Sequence, residues 1–113
     1  ESNGWKRTLG FMSDENILMK TRLFEILQGN FDITLLPRVE NFHSLLLKEE
    51  EFINLLRHNM AELDYLLVHE HQHHRNIAEI DFMHSRLKYQ MMTAETRFKK
   101  LESEFYDFLS LKD

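Results

Sequence analysis

The chain has no cysteine, a single proline and three glycines in 113 residues. Without cysteine there is neither a disulfide framework nor a thiolate metal site. The same absence is compatible with a reducing compartment, so a cytoplasmic location is expected. So few helix breakers argue for a small number of long elements. No apolar run approaches the roughly 18 residues that a membrane-crossing helix needs. The longest are Leu45-Leu46-Leu47 and Leu66-Leu67-Val68. No secretory apolar region is visible, and no membrane partner is expected. The chain starts at Glu1 rather than Met, which fits a processed or trimmed start.

Positive charge is also short, with 14 Lys and Arg against 19 Asp and Glu and a net charge of −5. The basic pairs Lys6-Arg7 and Lys99-Lys100 are isolated. Nucleic-acid binding depends first on neutralising phosphates, so nucleic acid is excluded as an expected partner. Protonating all seven histidines would reverse the sign of the net charge. The length suits one domain with a modest core.

What the chain does contain is apolar residues at helical spacing. Trp5, Leu9, Met12, Asn16, Met19, Leu23 and Ile26 alternate in steps of four and three, predicting a first helix over about 4–28. Ser2 or Asn3 suits its start, and Gly29 stands where a left-handed terminal residue is expected. Ile17, Leu18, Phe24 and Leu27 widen the stripe and predict packing against more than one neighbour. Asn16 takes a core-type position; it reads either as a register-fixing polar residue of a dimer or, preferably, as an edge residue facing water.

Residues 29–34 read as a turn and a cap, with Asp32 or Thr34 accepting from the next helix and Pro37 in its opening turn. The second helix is predicted over about 34–68, with the seam Leu35, Val39, Phe42, Leu46, Glu49, Ile53, Leu56, Met60, Leu63 and Leu67. The third is predicted over about 75–111, with the seam Ile77, Ile80, His84, Leu87, Met91, Ala94, Phe98, Leu101, Phe105 and Phe108.

Between them lies His69-Glu70-His71-Gln72-His73-His74, and the two seams are out of phase across it. A continuous rod would absorb this as a stutter. An antiparallel hairpin turning at about 69–74 is the preferred reading. Pairing Leu67 with Ile77, Leu63 with Ile80 and Met60 with His84 keeps the residue numbers at a nearly constant sum. The same register carries on to Phe42 with Leu101 and Leu35 with Phe108. It sets Glu49, the one charged residue of the second seam, opposite Ala94, the small residue of the third. The shorter first helix is predicted to cover only the open half of this hairpin, leaving Tyr65, Leu66, Phe82 and Met83 as an interface near the tip.

The spelling His69-Glu70-xx-His73 resembles the HExxH motif of zincin metalloproteases. That resemblance implies His69 and His73 as zinc ligands and Glu70 as the base that activates metal-bound water. The longer metzincin pattern fails, because Asn76 and Glu79 replace its Gly and His. Plain binding of Zn, Ni or Cu is the broader reading, using His69 with His73 and Glu70 with His74, each pair four apart on one helix face. A polar, solvated tip explains the same residues without metal. Glu40-xx-His43 and Glu70-xx-His73 resemble the Glu-x-x-His spacing of ferritin-like carboxylate sites, but a hairpin puts them at opposite ends of one helix.

His84 in the third seam reads as a hydrogen-bonded or partly exposed core residue, and with the histidine-rich tip it predicts a response to mild acid. No phosphate loop, nucleophile triad or cofactor fingerprint occurs. The sequence therefore predicts an all-α protein: a coiled-coil-like antiparallel hairpin with a shorter first helix, a three-helix bundle completed by dimerisation. Its expected role is non-enzymatic association, as a homodimer or with another helical protein, without a required cofactor. The alternative is a small metal-binding or pH-responsive bundle using the histidine cluster.

Overall fold

The computed structural model of the protein describes residues 2–29, 31–69 and 77–112. Among these residues the fold is all-α. Helix α1 spans Ser2–Gln28, α2 spans Leu36–His69 and α3 spans Ile77–Lys112, with a single 3-10 turn at Ile33–Leu35 before α2. The body measures 61 × 20 × 20 Å, a rod about as long as its longest helices. Among the described residues no helix is long and apolar enough to cross a membrane. His69 closes α2, and residues 70–76, which hold the rest of the predicted turn, lie outside the described residues.

The linker solves the capping problem in two stages. Asp32 accepts from the Thr34 N–H at 3.0 Å, and the Leu35 N–H donates to the Asp32 carbonyl at 2.9 Å. These bonds cap the 3-10 turn, so α2 starts at Leu36 and Pro37 still falls in its first turn, where a missing N–H costs nothing. Gly29 does not take up the expected left-handed conformation, since no described glycine has positive φ. Its N–H is instead shared between the carbonyls of Glu25 and Ile26, both at 3.2 Å, a tightening common in last turns.

Helices α2 and α3 pack side by side in opposite directions. Phe42 lies edge-on to Phe105, with ring centres 5.4 Å apart, and tilted against Phe108 at 5.2 Å. The guanidinium groups of Arg38 and Arg97 sit over the rings of Phe108 and Phe52, 4.8 and 4.4 Å from their centres. These ring contacts lie further along α3 than Leu101, the residue expected level with Phe42. Side chains on a helix lean towards its amino end, so in an antiparallel pair the touching residues come from positions further apart along the hairpin than a level pairing assigns. Glu49 and Ala94 are both buried, and Arg97 Nε donates to Glu49 Oε1 at 2.7 Å.

Helix α1 lies against α2 through Leu9, Met12, Met19 and Leu23, all buried. Asn16 is buried as well, only 2% exposed, which overturns the water-facing reading. Its amide group donates to the Leu46 carbonyl at 3.0 Å, so half of its polarity is satisfied inside the core; Oδ1 has no partner. Ile17, Leu18, Phe24 and Leu27 are 41–59% exposed, while α1 does pack against both other helices, meeting α2 at Asn16 and α3 at Glu15 and Trp5. Helix α1 also covers more than the open half of the hairpin: Lys6 pairs with Asp64, and Trp5 packs on His84 with ring centres 5.2 Å apart. At 27 residues against 34 in α2, it is long enough to reach that far.

Candidate association surface

The core narrows towards the histidine-rich end. Among the described residues, Leu63 and Ile80 are the last buried ones there, at 1% and 7% exposure. Beyond them Leu67 and Ile77, predicted as a seam pair, are 40% and 51% exposed. Two helices alone bury only a narrow strip, and the contacts of α1 nearest this end are with Asp64 and His84. Val68, Tyr65 and Phe82 are exposed in the same region.

Of the predicted interface residues, Tyr65, Leu66 and Met83 line one groove of about 450 Å³ between α2 and α3. His58, Glu62 and Glu79 give it a polar rim, with His58 Nε2 3.2 Å from Glu62 Oε1. Leu66 and Met83 are half-buried and rest on the core, while Tyr65 is 62% exposed. Phe82 does not line this groove. The surface is therefore continuous along α2 and divided on α3.

His69 stacks on Tyr65 with ring centres 4.0 Å apart, and its Nδ1–H donates to the Tyr65 carbonyl at 2.8 Å. That bond puts the proton of the neutral ring on Nδ1 and leaves Nε2 as an acceptor. Glu70, His73 and His74, the other expected metal ligands, lie outside the described residues. Among the described residues no three His, Asp or Glu side chains gather to hold a metal ion. His84 is half-buried against Trp5, as expected of a partly exposed core residue.

Two features escaped the sequence reading. A groove of about 440 Å³ runs between α1 and α2, lined by Phe24, Leu27, Leu36 and Val39, with Lys20, Glu40 and His43 beside them. Its apolar spacing was visible but was assigned to internal packing. The second feature joins α1 to α3. Tyr106 donates its hydroxyl to Glu15 Oε1 at 2.8 Å. Burial, then the Glu15 carboxyl as hydrogen-bond partner and as charge, hold Glu102 above the usual carboxylate range. Burial and the same carboxyl, joined by the charge of Glu102 and opposed by Arg22, push the Tyr106 phenol up to about 12. The α1–α3 register would have revealed this pairing, because Glu15 and Glu102 flank neighbouring seams; the α2–α3 pattern carries no trace of it.

Comparison with known proteins adds no relative: no family model, curated protein or solved structure matches the chain.

Proposed function

We propose that the chain is a non-enzymatic association module, a coiled-coil-like hairpin braced by α1, whose tip-end surface binds a second copy of itself. The observation that carries this reading is the exposure of Tyr65, Val68 and Ile77 where the core runs out, with Phe82 exposed beside its last buried residue on α3. Large apolar side chains grouped at one end of a monomer favour burial against a partner. Two copies meeting there would add a second pair of helices to a two-helix segment, completing a four-helix arrangement. A two-fold contact is the commonest way a single chain satisfies such a surface. Another helical protein with a complementary stripe is the heterologous form of the same module.

Light scattering coupled to size exclusion at pH 7.5 tests the proposal. The natural chain is expected to run at twice the chain mass, and Tyr65→Lys with Phe82→Lys at the monomer mass with helix content unchanged. A natural chain that stays monomeric at 100 μM or so, far above the Kd of a stable dimer, would remove the self-association reading.

A further inference from the structure

We propose that the outer face of α3, around Tyr89 and Met92, is a docking site for an acidic amphipathic helix of another protein. It is separate from the tip-end surface and does not depend on self-association there. Tyr89, Met92 and Thr96 follow at steps of three and four along the side of α3 opposite its buried Leu87, Met91, Ala94 and Phe98. Tyr89 is 71% and Met92 63% exposed. With Thr93, Arg97 and Lys100 these residues line an open groove of about 480 Å³.

Charge decides what fits there. Residues 86–100 hold five of the 14 Lys and Arg and one acid, Glu95. This stretch therefore carries +4 in a chain of net −5, and the rest of the chain carries −9. Arg97 is already committed to Glu49 and to the Phe52 ring. Arg86, Lys88 and Lys99 are exposed and make no ion pair among the described residues. Lys100 reaches Glu104 only at 4.0 Å. Helical geometry sets Lys88 and Lys99 on one edge of the face, Arg86 on the other and Lys100 at its end, over roughly 21 Å of helix. An acidic helix would lay its apolar stripe on Tyr89 and Met92 and bring carboxylates to these cations, giving an apolar centre with a charged rim. Two copies of this chain meeting through the same face would oppose like charges. A second copy docking by some other face would leave a free site at each end, a contact that does not close. A nucleic acid or an anionic membrane wants cations across the centre of the site, which here is uncharged, and the net negative charge of the chain opposes its approach.

The test is fluorescence anisotropy of a labelled peptide of about three heptads, with leucine at the two apolar positions of each and glutamate beside them, titrated with the full chain. Saturable binding is expected, weakening severalfold as salt rises from about 50 to about 300 mM. Lys88→Glu with Lys99→Glu should weaken it about tenfold or more, and Tyr89→Ser with Met92→Ser severalfold. Lys48→Glu with Arg57→Glu makes the same change in net charge at exposed positions of α2 and should leave affinity within about twofold. All the substituted side chains are exposed, so helix content should match the natural chain in every variant. No binding at about 100 μM protein, or equal losses in the two charge-reversed variants, would overturn the proposal. So would displacement of the peptide by duplex DNA or by phosphatidylserine vesicles at matched charge, which would give the face to a polyanion. Loss of self-association in Lys88→Glu with Lys99→Glu would give it to a second copy and overturn the proposal as well.

Discussion

The seam between α2 and α3 and the seam by which α1 joins them are built from opposite chemistry. Along α2–α3, phenylalanine rings meet edge to face, arginines cover rings, and the one buried carboxylate, Glu49, has its own cation in Arg97. Along α1, a buried asparagine donates to a backbone carbonyl of α2 and keeps one oxygen without a partner, and Tyr106 of α3 donates to the Glu15 carboxylate. The first seam joins its buried acid to an opposite charge, with one carboxylate oxygen left over; the second joins its polar groups by hydrogen bonds from an amide and a phenol, with the Asn16 oxygen left over. Stability in a small bundle need not be uniform, and helices with poorer contacts open first.

The largest expected effects come from breaking the two seams separately. Phe105 is fully buried and packed on Phe42 and Tyr106. Phe105→Ala should remove about 3–5 kcal/mol and lower protection in all three helices. Met19 is equally buried on α1. Met19→Ala should cost about 2–5 kcal/mol in the contacts of α1, with the loss of protection concentrated in that helix. Native-state hydrogen exchange distinguishes them. Equal losses everywhere in Met19→Ala would mean that the two regions open as one unit, and the contrast drawn above would fail.

A smaller effect tests how the α2–α3 seam tolerates its buried acid. The Glu49 side chain is 5% exposed, while that of Arg97 is 49% exposed. Removing the arginine strands a carboxylate in the core, whereas removing the glutamate leaves a cation that water already reaches. Arg97→Ala should therefore cost on the order of 2–3 kcal/mol, less than a fully buried pair would lose. Glu49→Leu should leave stability unchanged or raise it, because it also eliminates Oε2, which has no partner. Urea midpoints at constant m-value give both numbers. A loss in Glu49→Leu as large as that in Arg97→Ala would show that the pair itself, and not the stranded charge, carries the energy.

The parts of this molecule that were legible in the sequence are those set by periodicity along a single helix. The seam from Val39 to Leu63 and that from Ile80 to Phe108 are buried almost residue for residue, with His84 left half-exposed, because a heptad stripe reports directly on which face a helix hides. Contacts between helices were less legible. Phe42 finds Phe105 and Phe108 because side chains lean along their helices, which spacing alone does not register. Asn16 went to the core because a backbone carbonyl of α2 stands there to receive it, a fact invisible from α1. Leu67 and Ile77 obey the stripe and are exposed nonetheless, because burial needs a third helix as well as a pattern. The Glu15–Glu102–Tyr106 cluster was the least accessible, since it depends on the register of two helices that are not neighbours in the chain.

The smallest expected effect strengthens the weaker region without touching either seam. Gly10 sits inside α1, two turns from Asn16, and a methyl group placed there meets no atom within 4 Å. Its φ is not positive, so alanine fits the same backbone. Alanine reduces the freedom of the unfolded chain and favours the helix by up to about 1 kcal/mol relative to glycine. Gly10→Ala should thus raise the midpoint of thermal unfolding by a few degrees. If α1 opens independently, the gain appears first as slower exchange of its own amides. A gain confined to α2 and α3 would contradict that order of opening.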